Sequence, residues 1–207
     1  MDSRSIKVVA FDCDGVMFDS SEANRAFYNQ VLTHIGMSPM TAEQSAFAQM
    51  HTVDESLEYL IDDPGRLAEA RRYRLQMSYH DFIRHMVIEP HLKTLLAKLR
   101  PVFKTAIATN RTDTMDRVLE EHELEGQFDL VVTASDVRHP KPHPEQLQVI
   151  LDHFGIGPER MIYIGDSALD AQSAQSAQVP FIAFRNDSLP ARVHIRSLRQ
   201  IEEILGL

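Results

Sequence analysis

From Pro90 onward, short apolar runs alternate with amphipathic segments along the chain. The apolar runs predict strands, and the amphipathic segments between them predict helices. The predicted strands cover residues 102–109, 128–133, 161–165 and 180–184, and the predicted helices cover residues 92–99, 113–123, 144–154 and 169–177. Alternating strands and helices form parallel sheets with right-handed crossovers. The chain is therefore predicted to be an α/β protein, with a parallel sheet flanked by helices.

An earlier apolar run, residues 8–11, ends directly in the sequence Asp12-Cys13-Asp14-Gly15. Such a continuous apolar run is typical of a strand that is buried on both faces of a parallel sheet. In open α/β sheets, ligands bind just beyond the carboxyl ends of the strands, so both carboxylates are expected in a crevice. Taken alone, the pattern fits a solvated Asp-Gly turn equally well. The residues at the ends of the other strands must decide between a ligand-binding crevice and a solvated turn.

Between these two regions lies a segment whose pattern is helical throughout. Helices are predicted over residues 20–35, 41–51, 54–61 and 64–87. Thr41 and Gln44 have the spacing of a capping box, and Pro64 suits a first helical turn. Because no strand is predicted here, residues 20–88 are expected to form an inserted helical domain, which leaves residues 1–19 and 89–207 as the α/β domain. A short strand near Val193 and a helix opened by Ser197 with Gln200 are expected to close the chain.

Every major strand is followed by groups suited to binding phosphate or a metal ion. These groups are Asp12 and Asp14 after the first strand, Thr109, Asn110 and Arg111 after the second, Lys141 after the third, and Asp166 and Asp170 after the fourth. Parallel strands bring their carboxyl ends to one edge, so one pocket would hold four carboxylates and a lysine. Hard oxygen donors without a histidine-cysteine set favour Mg²⁺.

These residues resemble the four motifs of the haloacid dehalogenase superfamily of phosphatases. The matching segments are Phe11-Asp12-Cys13-Asp14-Gly15-Val16, Thr109-Asn110, Lys141-Pro142, and Gly165-Asp166-Ser167 with Asp170. Their order and spacing match across essentially the whole chain. Within the superfamily, the chain resembles the phosphoglycolate phosphatase and β-phosphoglucomutase branch, in which a helical cap follows the first motif. The resemblance implies a Rossmann-like core with a cap over residues 20–88.

The resemblance also implies a role for each motif residue. Asp12 would be the nucleophile that forms an aspartyl-phosphate, Asp14 the general acid and base, and Lys141 the group that neutralises the phosphate. Asp12, the backbone carbonyl of Asp14 and Asp166 would hold Mg²⁺, with Asp170 in or beside that shell. The expected substrate-binding residues are Thr109, Asn110 and Arg111 in the core and His51 and Thr52 in the cap. A surface salt bridge is the alternative for Arg111, and an exposed loop is the alternative for His51 and Thr52.

The leading hypothesis is a magnesium-dependent phosphatase that hydrolyses a small phosphomonoester. A phosphosugar mutase would use the same core, and only the cap separates the two. A non-catalytic binding protein is a third class, but the intact set of Asp12, Asp14, Lys141 and Asp166 argues against it. Halide displacement would not need the acid and base at Asp14, which argues against a dehalogenase.

Composition and charge restrict the partners and the compartment. The formal net charge is −9, from 21 basic and 30 acidic residues, and no dense basic run suggests a nucleic-acid site. No apolar run approaches the roughly 20 residues of a membrane helix, and the amino terminus lacks the apolar segment of a signal peptide. We therefore expect a cytoplasmic protein with no nucleic-acid or membrane partner. The resemblance implies a small phosphorylated metabolite as partner, and a monomer or homodimer is expected.

The histidines and the cysteine suggest no further chemistry in the sequence. The carboxylates beside the single cysteine, Cys13, would raise the pKa of its thiol, so a packing role is expected. His139 and His143 are four residues apart, but Pro140 and Pro142 lie among them. Helical ligand spacing therefore fails, and the sequence predicts no zinc site.

Overall fold

The structure, a computed structural model, describes residues 5–207, with only the backbone of His80. The chain divides into two compact units. The first unit contains residues 5–18 together with Ile88–Leu207, and the second is Asp19–Val87. Nowhere in residues 5–207 does a helix combine the length and the apolarity needed to cross a membrane.

The strands, in chain order, are β1 (Val8–Phe11), β2 (Phe18–Asp19), β3 (Val87–Ile88), β4 (Lys104–Ala108), β5 (Leu130–Val132), β6 (Met161–Gly165), β7 (Phe181–Phe184) and β8 (Val193–Ile195). Six of them form one sheet in the order β5-β4-β1-β6-β7-β8, and all its neighbours pair in parallel. The predicted α/β fold with a parallel sheet is confirmed. The short strands β2 and β3 pair with each other where the chain passes between the units.

The helices, in chain order, are α1 (Ser21–His34), α2 (Ala42–Met50), α3 (Val53–Leu60), α4 (Pro64–Arg74), α5 (His80–Ile83), α6 (Leu92–Leu99), α7 (Met115–Glu121), α8 (Glu145–Phe154), α9 (Ala168–Ser176) and α10 (Gln200–Leu205). The first five belong to the second unit and the others to the first. Each of α6 to α9 lies in the chain between two strands of the large sheet, as the alternating pattern predicted.

The centre of the large sheet is the most deeply buried part of the first unit. All four residues of β1 are fully buried, because β4 pairs on one side and β6 on the other. Ala10 lies opposite Ala106 of β4 and Tyr163 of β6. Apolar side chains lie on both faces of β1. The carboxyl end of this strand, where Asp12 follows, is therefore a buried position at the edge of the sheet.

The second unit is helical, and the capping box of Thr41 and Gln44 is present at the start of α2. The single helix predicted over residues 64–87 is wrong. Helix α4 ends at Arg74, and a turn leads to the short helix α5. This turn lets the rings of Tyr79 and Phe82 pack against Phe27 of α1, at centroid distances of 5.3 and 5.6 Å. Tertiary packing of aromatic rings therefore overrides the helical pattern here.

The last helix begins later than predicted. The side chain of Gln200 accepts hydrogen bonds from the amides of Arg196 and Ser197, and the hydroxyl of Ser197 accepts from the amide of Arg199. These bonds form a turn ahead of α10, so Ser197 is not its N-cap.

Candidate active site

The carboxyl end of β1 holds Asp12 against the buried side chain of Lys141. The Lys141 Nζ lies 2.7 Å from Oδ1 of Asp12 and 2.7 Å from Oδ1 of Asp170. It also donates to the hydroxyl of Tyr163 at 3.0 Å and lies 3.2 Å from the carbonyl of Ala108. Lys141 is only 3% exposed, so these oxygens replace the water that would otherwise solvate its charge.

Asp170 is held by groups on two sides. Its Oδ1 accepts from Lys141 and from the hydroxyl of Tyr163 at 2.6 Å. Its Oδ2 accepts from the amide and the hydroxyl of Ser167, at 3.0 and 2.5 Å, in the capping box that begins α9. Both oxygens are therefore engaged by the protein, and Asp170 anchors the lysine.

Tyr163 belongs to the site but was not predicted from the sequence. It is fully buried in β6, and burial, followed by the charge of Asp170, raises the pKa of its phenol well above the usual value. The hydroxyl therefore stays protonated and donates to Asp170. A tyrosine within the otherwise apolar run Met161–Gly165 was the sequence signal, because a buried hydroxyl needs a partner.

Asp12, Asp166 and Asp170 each offer a carboxylate oxygen to a common point, with these oxygens within 4.8 Å of one another. The carboxylate of Asp166 lies directly against Gly15. A Cβ at Gly15 would lie 2.0 Å from Oδ2 of Asp166, and Gly15 also has a left-handed φ of +81°. Because Gly15 has no side chain, the loop after β1 can approach the loop after β6 this closely.

The pKa shifts follow from the burial of these charges. Burial raises the pKa of Asp12, as do Asp170, Asp166 and Asp14, and Lys141 opposes them. Burial, together with Asp170, raises the pKa of Asp166 to about 7. Burial also acts to raise the pKa of Asp170, but Lys141 and the hydrogen bonds to it lower that pKa overall. The site thus brings together more carboxyl groups than Lys141 alone can neutralise, which is typical of a cation site.

The loops that carry Thr109 and Lys141 are joined by buried amide side chains. Asn110 donates from Nδ2 to the carbonyl of Lys141 at 3.1 Å and accepts from the amide of Lys141 at 3.0 Å. Gln146 donates to the carbonyl of Thr109 at 2.7 Å. The side chain of Asn110 therefore positions the backbone that carries the lysine, which the sequence pattern did not indicate.

A family model for haloacid dehalogenase-like hydrolases matches residues 9–184, most of the 207-residue chain. The chain belongs to this family. A phosphoglycolate phosphatase from Aliivibrio fischeri is 29% identical over 185 residues, which cover 84% of this chain and 82% of that protein. The pyrophosphatase PpaX from Bacillus pumilus is 28% identical over 184 residues, which cover 86% of this chain and 82% of that protein.

A solved structure shows the same relationship. A haloacid dehalogenase superfamily hydrolase of subfamily IA from Geobacter sulfurreducens is 38% identical, with a TM-score of 0.81, and the match covers 98% of this chain and 97% of that one. The predicted membership of this superfamily, near its phosphoglycolate phosphatases, is confirmed. The prediction that the protein is an enzyme, a haloacid dehalogenase-like phosphatase, is confirmed as well.

Asp14, the second aspartate of this family's first motif, is paired with Arg111. The guanidinium donates from Nε to Oδ2 of Asp14 at 2.8 Å and from Nη2 to Oδ1 at 2.7 Å. Its Nη1 also donates to the hydroxyl of Thr114 at 3.1 Å. The side chain of Arg111 is 7% exposed and that of Asp14 is 12% exposed, so this ion pair is well shielded from water. Arg111, expected to bind substrate, thus fixes both oxygens of Asp14.

The sequence also drew attention to His51 and Thr52, which lie in the second unit, and to Cys13, for which a packing role was predicted. Thr52 is the N-cap of α3 and shares a capping box with Glu55, and Nδ1 of His51 lies 2.9 Å from the carbonyl of Phe47. Substrate contact by His51 and Thr52 stays a prediction. Cys13 is buried, and burial, then the charge of Asp14, raise the pKa of its thiol, in line with a packing role.

Proposed function

We propose that this hydrolase is a magnesium-dependent phosphatase that acts on a small phosphomonoester through an aspartyl-phosphate intermediate. The contact of 2.7 Å between Lys141 and Asp12 is the observation that carries the proposal. It orients one carboxylate oxygen of Asp12 and leaves the other for attack on phosphorus. Asp14 follows two residues later at the same strand end. Two different carboxyl groups can therefore serve as the nucleophile and as the proton donor.

In the first proposed step, a carboxylate oxygen of Asp12 forms a bond to phosphorus as the bond from phosphorus to the leaving oxygen breaks, and Asp14, which must be in its protonated form for this step, gives its proton to that leaving oxygen. In the second, Asp14 removes a proton from the water that attacks the aspartyl-phosphate, and Asp12 is released. Thr109 and the amide of Asn110 would bind the phosphoryl oxygens. Lys141 stabilises the negative charge that Asp12 and the phosphoryl group share.

The residues present fit a divalent cation. The convergence of oxygens from Asp12, Asp166 and Asp170 and the raised pKa values of Asp12 and Asp166 are the observations that support this fit. Asp12, Asp166 and the backbone carbonyl of Asp14 would hold Mg²⁺, with Asp170 beside them because its oxygens already accept four hydrogen bonds. When bound, the cation supplies positive charge that lets an anionic nucleophile approach an anionic phosphate.

Residues 20–88 are proposed to form the cap that selects the substrate, with His51 and Thr52 as its contact residues. The helical character of Asp19–Val87, a compact unit of its own, supports this assignment. The relatives named for phosphoglycolate and for pyrophosphate support a small phosphorylated metabolite as substrate. We place the reaction in the cytoplasm, in a monomer or homodimer, with no role for nucleic acid or membrane.

Purified protein is expected to release inorganic phosphate from one or a few members of a panel of phosphorylated metabolites in the presence of Mg²⁺, but not with excess chelator. Asp166→Asn removes a carboxylate from the cation cluster and should raise the Mg²⁺ concentration needed for half-maximal rate. Asp152→Asn, an exposed carboxylate of α8, is the matched control and should behave like the unaltered protein. Phosphate release that persists in chelator would contradict the proposed metal dependence, and an isomeric phosphosugar as product would indicate a mutase.

Arg111→Gln is expected to lower kcat for the hydrolysis of alkyl phosphomonoesters by a larger factor than kcat for the hydrolysis of p-nitrophenyl phosphate. Without the guanidinium, Asp14 loses both contacts that orient its side chain. An alkoxide leaving group depends on the proton that Asp14 delivers, whereas p-nitrophenolate needs little protonation. The loss in kcat should stay below the roughly 10²- to 10⁴-fold expected when a general acid is removed altogether. The measurement is kcat and KM for both substrates, with Arg117→Gln on the exposed face of α7 as control.

Arg111→Lys keeps the positive charge but not the bidentate contact. Its kcat for alkyl phosphomonoesters should therefore lie between those of the unaltered protein and Arg111→Gln. If Arg111 instead acts by binding substrate, KM should rise for metabolites that carry a second anionic group while the ratio of the two kcat values stays unchanged. That result would overturn the assignment of Arg111 as a positioning residue for Asp14.

A further inference from the structure

A second set of metal-ligating side chains lies outside the proposed active site. His139, His143 and Glu145 each offer one ligand atom within 4.8 Å of the others. The sequence predicted no zinc site here, because prolines prevent helical spacing of the two histidines. The structure brings them together on a turn, which runs from His139 into the first residue of α8. The prolines therefore exclude a helix but not the convergence of the side chains.

The distances suit a tetrahedral metal ion. Oε2 of Glu145 lies 3.0 Å from Nδ1 of His139, which is hydrogen-bond distance, and 3.8 Å from Nδ1 of His143, and the two rings have centroids 4.8 Å apart. Two ligand atoms about 2.1 Å from zinc, at a tetrahedral angle, are about 3.4 Å apart. Both distances lie within about half an ångström of that value.

The carboxylate of Glu145 is held in place by backbone groups. Glu145 accepts the backbone amides of Arg138 and His139 at 3.0 and 3.1 Å, which fix the direction of its carboxylate. These bonds, led by the one from Arg138, keep the pKa of Glu145 below its usual value. Nδ1 of His143 accepts the amide of Glu145 at 3.3 Å, a long contact that a metal ion bound at this nitrogen would replace. The backbone amides of Arg138 and His139 thus orient the carboxylate of Glu145 in the way that outer-shell contacts do.

One side of the cluster is open. A surface groove of about 450 Å³ adjoins it, lined by His139, Pro140, Pro142, His143, Pro144, Gln172, Gln175 and Ser176. The groove leaves room for a water molecule or another small ligand at a fourth coordination position. Two imidazoles and one carboxylate form a ligand set found in zinc sites that keep a fourth position for water, whereas Mg²⁺ prefers oxygen donors.

We propose that His139, His143 and Glu145 form a zinc site with a fourth position open to solvent. The two histidines flank Lys141 in the chain, so a zinc ion here would link both ends of the segment that presents the lysine to Asp12. The site is separate from the carboxylate cluster of Asp12, Asp166 and Asp170 and uses a different class of metal. Zinc binding should therefore persist when Mg²⁺ saturates the carboxylates.

Cobalt titration tests this proposal without relying on activity. In saturating Mg²⁺, the full-length protein should bind one Co²⁺ with the intense visible absorption of four-coordinate cobalt, and added Zn²⁺ should abolish that band. The double variant His139→Ala/His143→Ala should lose the band. His153→Ala, which removes an exposed histidine of α8 outside the cluster, should retain it. Glu145→Gln should weaken binding by at least roughly 10- to 100-fold.

Circular dichroism and the metal-free melting temperature of each variant establish that it is folded. A band that is absent from the unaltered protein, or that survives in the folded double variant, would overturn the proposal. A band lost equally in His153→Ala would do the same, since it would show binding by scattered histidines rather than by this cluster.

Discussion

Asp12→Asn is expected to abolish turnover of every phosphomonoester, whereas Asp14→Asn is expected to slow it by roughly 10²- to 10⁴-fold. The first change keeps the size of the side chain but removes the anion that attacks phosphorus, with Lys141 still paired to Asp170. The second leaves the nucleophile and its lysine contact intact and removes the group that moves the proton. Although the two aspartates are separated by one residue, their effects should differ in kind.

Rapid quench and mass spectrometry would separate the two roles. With a good leaving group such as p-nitrophenolate, Asp14→Asn should still form the covalent intermediate, because that step needs little protonation. Its hydrolysis should stall for lack of a base, so phosphate should accumulate on the peptide that contains Asp12. Asp19→Asn, an exposed aspartate a few residues further on, is the control. Phosphate on another residue, or normal turnover by Asp12→Asn, would refute the covalent mechanism.

The large sheet was predictable because its strands are apolar runs bounded by polar residues. Strand β6 has the predicted bounds, Met161–Gly165, since every residue in it is buried. Strand β5 is shorter than predicted, with three residues, and two of them are only half-buried at the sheet edge. The convergence of Asp12, Asp166 and Asp170 followed from the topology of parallel strands, which requires no knowledge of side-chain contacts.

The contacts within the site depend on tertiary packing and could not be predicted in the same way. Arg111 reaches Asp14 across 97 positions of sequence, and Tyr163 meets Lys141 only because β6 lies beside β1. The Ser167-Asp170 spacing, by contrast, has the form of a capping box, so a local rule could have indicated why Asp170 is held so firmly. Local patterns thus indicated where charges gather, and only the folded chain shows how they pair.

Lys141→Met is expected to inactivate the enzyme and also to destabilise it strongly. The change leaves the carboxylates of Asp12 and Asp170 buried without their cation, and breaking a buried ion pair in this way costs roughly 3–5 kcal/mol of unfolding free energy. Burial acts to lower the pKa of Lys141, but the two carboxylates outweigh it and raise that pKa above its usual value, so the lysine is charged at neutral pH. Urea denaturation at pH 7 in chelator would measure the loss.

A second substitution distinguishes lost charge pairing from lost packing. In Lys141→Met/Asp170→Asn, one of the two uncompensated charges is gone, so part of the lost stability should return, although activity should not, because Asp12 still lacks its partner. Lys93→Met removes an exposed lysine that pairs with Glu123 and should change stability little. If the double variant is as unstable as Lys141→Met, the lysine contributes through its shape and hydrogen bonds to Tyr163 and Ala108 rather than through its charge. If Lys141→Met is as stable as Lys93→Met, the buried network does not stabilise the fold.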